Sequence, residues 1–155
     1  MFKRFEEIEA WQLARELTKA VYALVKGSSF SHDFGLSDQI RRASVSVMAN
    51  IAEGHERDGT KEFIQFLSCA KGSVGEVRSH LYVALDATYI DQQPFDALST
   101  LTFRIAAALS ALIKALRSSD ISGQKFRIPS TLNPCPPAPL NPCPPAPLNP
   151  VPLKP

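Results

Sequence analysis

Proline is nearly missing from most of this chain: of its 13 prolines, only Pro94 precedes Pro129. Proline removes a backbone donor and breaks helices, so its scarcity leaves the first part free to form long regular elements. The composition therefore divides the chain into a folded domain, expected over residues 1–120, and a linker with a proline-rich low-complexity tail over 121–155. Charge of one sign is scarce as well. Lys154 is the sole charged residue from position 129 onward, so 16 of the 17 Lys and Arg and all 15 Asp and Glu lie in positions 1–128. Such a balanced domain is not a general trap for polyanions. Cysteine is limited to Cys69, Cys135 and Cys143, which suits a reducing compartment, with Cys69 a small packing residue.

Long apolar runs are also missing. The N-terminus has no apolar stretch behind Lys3 and Arg4, so no secretory signal is read. The longest apolar segment, Ile105 to Leu116, is interrupted by Lys114 and falls short of the ~20 residues that span a bilayer. A cytoplasmic protein without membrane contact is expected.

Helical periodicity is what remains. Ala10, Leu13, Leu17, Ala20 and Leu24 form one stripe over residues 7–26, widened by Trp11, Ala14, Val21 and Val25 and closed by Gly27. Leu36, Ile40, Ala43, Val47 and Ile51 mark a second helix stopping at Gly54. A third runs from about Thr60 to Ile90 with Phe63, Phe66, Leu67, Ala70, Val74, Val77, Leu81 and Ala84. The fourth starts at Pro94, whose fixed φ suits a first turn, and carries Phe95, Leu98, Leu101, Ile105, Leu109, Leu112 and Leu116. No alternating pattern competes, and the short connections favour antiparallel neighbours. The reading is an all-α, up-down-up-down four-helix bundle. Trp11, Val25, Val45, Met48 and Tyr82 lie partly off these stripes and leave apolar surface for a second subunit to cover.

The tail repeats Leu-Asn-Pro-Cys-Pro-Pro-Ala-Pro at 132–139 and 140–147. Lost amide donors exclude helix and sheet, leaving polyproline II or disorder. Its PxxP spacings lack flanking basic residues, so an inert tail is favoured over an SH3-type ligand.

Catalytic and metal-binding patterns are absent from the sequence. A di-iron bundle needs Glu-x-x-His on two helices, whereas Glu76 and His80 are four apart and the fourth helix has no acid between Asp96 and Asp120. His32, His55 and His80 fall in separate elements and make no zinc pattern. The glycines of Gly72-Ser73-Val74-Gly75 lie in mid-helix, so close helix contact is expected there rather than a phosphate loop. The reading is a non-enzyme with no cofactor, metal or small-molecule substrate.

Residues 39–54, QIRRASVSVMANIAEG, together with GlyLeu at 35–36, LysGluPhe at 61–63, Phe66–Leu67 and GSVGE at 72–76, resemble the small bacterial four helix bundle protein family. That family is also called the S23 or 23S rRNA intervening-sequence protein family, and its relatives include the accessory variability determinant of diversity-generating retroelements. The resemblance covers about residues 5 to 118. It implies a ring-shaped homopentamer acting as a non-catalytic scaffold or accessory protein. The alternative that it implies is weak, phosphate-dominated RNA or DNA binding, with Lys3, Arg4, Arg15, Lys19, Arg41, Arg57, Lys61 and Lys71 as candidate contacts. Of the polar positions in the motif, Arg42, Glu53 and Glu76 are expected to form a structural ion network, because a covered guanidinium needs an anion. Arg41 and Arg42 are adjacent and point about 100° apart on a helix, so they serve different partners.

Overall fold

The computed structural model describes residues 2–26, 29–57 and 59–121, with side chains described to residue 119. The proline-rich tail and Gly27 lie outside them. Four helices make up the domain: α1 (Glu9–Lys26), α2 (Phe34–Glu56), α3 (Thr60–Asp86) and α4 (Gln92–Ile121). Short 3-10 turns at Phe5–Glu7 and Ser29–His32 precede α1 and α2. Helix α1 packs on α2 and α4, and α3 packs on the same two. The helices thus follow one another around the bundle, up-down-up-down, with α1 diagonal to α3.

Each helix contributes one stripe to a single core. Leu17, Ile40, Leu67 and Ile105, one from each helix, are completely buried, as are Val21, Val47, Leu81 and Leu109. Burial of each such side chain is worth about 1.5–3 kcal/mol. The α1 stripe is turned slightly from the sequence reading: Ala14, Val21 and Val25 are buried, while Ala20 and Leu24 are only partly covered. Val25 is therefore core and not surplus surface.

The helix ends follow local chemistry. The Asp33 side chain accepts from the Leu36 amide at 2.9 Å and caps α2. Helix α4 begins at Gln92, two residues before Pro94, which remains in the first turn where its lost N–H has no intrahelical partner. Helix α3 ends at Asp86, earlier than its apolar stripe suggested. The Thr88 amide bonds Leu85 O and the Tyr89 amide bonds Ala84 O, both at 2.9 Å. This is a Schellman closure with a β-branched residue at φ 56° in the left-handed position.

The glycines reverse two expectations. Gly54 does not stop α2, which continues to Glu56. It is buried where α3 crosses, and a Cβ there would lie 2.6 Å from Phe66 Cβ and 3.0 Å from a Phe63 ring carbon. Gly72 and Gly75, expected to admit a neighbouring helix, have nothing within 4 Å of an added Cβ. Cys69 is disulfide-bonded and so is not merely a packing residue; Cys135 and Cys143 lie outside the described residues. Helix α4 also corrects the reading of apolar length, because Gln92–Ser119 is long and apolar enough to cross a bilayer. Its buried residues face α1 and α3 and make up a minority of that segment.

Candidate functional site

The antiparallel order places the α1/α2 and α3/α4 outer grooves on opposite sides of the bundle, with chemically different linings. On the α1/α2 side, Phe5, Trp11, Tyr22, Val45 and Met48 line an open apolar groove of about 600 Å³. Phe5 meets Trp11 edge to face at 5.2 Å between ring centroids, which fixes the indole against the groove wall. Arg15 and Lys19 stand on the same lining one turn apart. The sequence had marked Trp11, Val45 and Met48 separately as off-stripe; packing of α1 against α2 brings them together.

The α3/α4 side has two parts. Toward the α3–α4 connection, Tyr82 meets the Phe95 ring at 4.9 Å, and the Arg78 guanidinium lies 4.6 Å from the Phe103 ring centre. Tyr82 and Phe103 remain 53% and 58% exposed. Toward the far end of α4, Ser68 and Lys71 of α3 face Ser110, Lys114 and Arg117 of α4 around a groove of about 390 Å³. None of these three cations forms an ion pair among the described residues. Lys114 and Arg117 were missed by the sequence reading. Their spacing from Ser110 puts all three on one helical face, but only pairing with α3 adds Lys71.

The candidate nucleic-acid contacts do not form one surface. Arg15 and Lys19 flank the apolar groove, whereas Lys71 belongs to the opposite side. Arg41 is half-buried and its Nε donates to Ser37 O at 2.9 Å, an anchor within α2. Arg57 donates to Glu53 at 2.7 Å, lies 3.8 Å from Glu62 and rests over the Phe66 ring, so its charge is locally compensated. Arg4 is likewise paired with Glu6 at 2.8 Å. Lys3 uses its backbone amide to bond Glu7, and Lys61 is exposed on the first turn of α3.

The ion network expected of Arg42, Glu53 and Glu76 is not formed. Arg42 and Glu53 are three turns apart, about 16 Å along the axis. Arg42 and Glu76 stand at similar heights on α2 and α3, because Gln39 meets His80 at 3.0 Å on one side of them and Ser46 meets Ser73 at 3.0 Å on the other. Both side chains are nevertheless exposed, and Arg42 turns back along α2 to Asp38 at 3.7 Å. Solvated charges gain little from crossing to another helix. The α2/α3 seam is bridged instead by the Ser46–Ser73 and Gln39–His80 hydrogen bonds, and within α2 Asn50 Nδ2 donates to Ser46 O at 2.8 Å. Burial lowers the pKa of His80, against the opposing effect of Glu76. Among the described residues, no group of three or more His, Cys, Asp or Glu side chains gathers in metal-binding geometry.

No curated protein matches the sequence. The fold is similar to the 1.70 Å crystal structure of a protein of unknown function from the S23 ribosomal protein family of Bacteroides thetaiotaomicron. The TM-score is 0.63 at 23% identity, covering 68% of this chain and 95% of that one. The model of the family described as 23S rRNA-intervening sequence protein matches residues 6–111, a span that contains α1 to α3 and most of α4. The chain belongs to the 23S rRNA-intervening sequence protein family.

Proposed function

We propose that this protein is a non-catalytic scaffold that assembles with copies of itself through the aromatic part of the α3/α4 face. The observation that carries the reading is the exposure of Tyr82 and Phe103 on the neighbouring helices α3 and α4. Large exposed rings close together mark contact surfaces, because each leaves apolar area in water that a partner can cover. The family resemblance read from the sequence makes a homopentamer the leading assembly, and the cytoplasm is its proposed location. The scaffold would work through macromolecular contacts rather than on a small-molecule substrate.

Light scattering on the full chain tests this. The expected particle contains several subunits, five under the leading reading, and Phe103→Glu reduces it to a monomer while far-ultraviolet circular dichroism keeps its helical signal. A natural chain that stays monomeric as concentration rises overturns the reading.

The cationic end of the same face favours a second role, weak binding of RNA or DNA by phosphate contact. Lys71, Lys114 and Arg117 have no ion-pair partner among the described residues, and no base-reading module accompanies them. Binding should then tolerate sequence changes and weaken with salt, with a log–log slope of roughly 0.7–0.9 per phosphate neutralised. Lys71→Glu combined with Lys114→Glu should abolish it without changing particle mass. Salt-insensitive binding to one RNA sequence would refute this phosphate-only mode.

A further inference from the structure

We propose that the proline-rich repeat at residues 132–147 docks in the aromatic α1/α2 groove of its own chain. This inference is independent of the assembly proposed for the α3/α4 face. Three observations meet in it: the lining of the groove, its unused donors and the reach of the tail.

The groove presents flat aromatic rings, Phe5, Trp11 and Tyr22, the last two with a polar edge, and Val45 and Met48 of α2. Aromatic-lined grooves take polyproline II segments because the preformed helix loses little entropy on binding and its rings pack flat on theirs. The groove is also rich in donors. Among the described residues, the Trp11 indole N–H, the Tyr22 hydroxyl, the Arg15 guanidinium and the Lys19 ammonium donate to no protein acceptor.

The tail offers the opposite inventory. Each eight-residue copy contains four prolines, so it has twice as many backbone carbonyls as amide N–H groups, and it has no charged residue. Donors without protein acceptors thus face a segment whose acceptors outnumber its donors. Leucine, alanine and proline supply apolar surface for the rings.

The connection is long enough. The described chain ends at Ile121, the C-terminus of α4, at the end of the bundle where α1 starts and where Phe5 and Trp11 open the groove. The ten residues from 122 to 131 can span about 30 Å in polyproline II, against a helix diameter of about 10–12 Å to be passed. Trp11 and Tyr22 are about 16 Å apart along α1, and one repeat extends about 25 Å, so a single copy covers the lining. Tethering also raises the local concentration of the tail toward millimolar, which allows a weak contact to be populated.

Trp11 is the chain's single tryptophan, so intrinsic fluorescence reports on the groove directly. The natural full-length protein is compared with a full-length variant whose eight repeat prolines are changed to serine, both in reducing buffer so that no disulfide to Cys69 of α3 restrains the tail. Docking is expected to give the natural protein a bluer emission and protection from acrylamide, both lost in the variant with unchanged helical content. A synthetic peptide of residues 132–147 should restore both in the variant, and Tyr22→Ser should weaken that rescue. Identical emission and quenching in the two proteins overturns the proposal. Protection that survives the serine changes and vanishes on dilution also overturns it, and identifies a second copy as the occupant.

Discussion

Helix α3 carries glycine-dependent packing near its N-terminal end and glycines of its own near its middle, and the two regions differ in kind. Near the start, Phe63 and Phe66 press on Gly54 of α2 so closely that a methyl group there would overlap the Phe66 Cβ. A Cβ hangs directly from the backbone, so relief requires movement of a helix and not a change of rotamer. In the middle, Gly72 and Gly75 meet nothing that a methyl group would touch. The same residue type is therefore a packing requirement in one place and a cost in helix propensity in the other. What separates them is the neighbouring helix, since all three are interior to helices with apolar periodicity.

The sharpest test of this contrast is Gly54→Val. Overpacking at the α2/α3 contact should lower stability by about 2–3 kcal/mol, measured by denaturant unfolding. A change near zero would mean the contact yields without resistance, and the contrast would collapse.

The opposite sign is expected in the open region. Gly72→Ala and Gly75→Ala should each raise stability by up to about 1 kcal/mol, because alanine improves helix propensity and its methyl group meets no neighbour. A loss at either position would show that a partner covers this strip in solution, and comparison at several protein concentrations would distinguish self-association.

Thr88 gives a smaller effect, from a position where glycine is missing. Its left-handed φ strains a β-branched side chain by roughly 1–2 kcal/mol, partly offset because glycine gains entropy in the unfolded chain. Thr88→Gly should therefore stabilise by about 0.5–1 kcal/mol, seen as a higher denaturation midpoint without a changed slope. Destabilisation would show that the threonine side chain outweighs its backbone strain.

The smallest effect belongs to His80, at the other end of the α2/α3 seam from Gly54. Its folded pKa lies below its unfolded value because burial disfavours the imidazolium. The unfolded chain then binds more protons as pH falls below about 6.5, so stability contributed by neutral His80 should decline in that range. His80→Gln should flatten this part of the pH profile; an unchanged slope assigns the dependence to other groups.

Much of the fold was legible because apolar spacing is a local signal. The stripes through Leu17, Ile40, Leu67 and Ile105 placed four helices and their core, and short connections favoured the antiparallel order. Element ends were less legible: Gly54 resembled a stop, yet continued as a contact, while Pro94 fell inside a first turn. The expected pairing of Arg42 with Glu53 or Glu76 failed because residue type supplies charge but not side-chain direction. At the exposed edge of α2, Asp38 one turn away is within easier reach.

The sequence by itself determined a helical domain, its four amphipathic stripes and a chemically different tail, since periodicity and proline content act through neighbouring residues. Only the tertiary structure decided that Trp11, Val45 and Met48 share one groove, that Lys71 joins Lys114 and Arg117 on the opposite side, and that Gly54 is crowded while Gly72 is open. Those outcomes depend on the rotation and closeness of separate helices, fixed when all four stripes bury one core together.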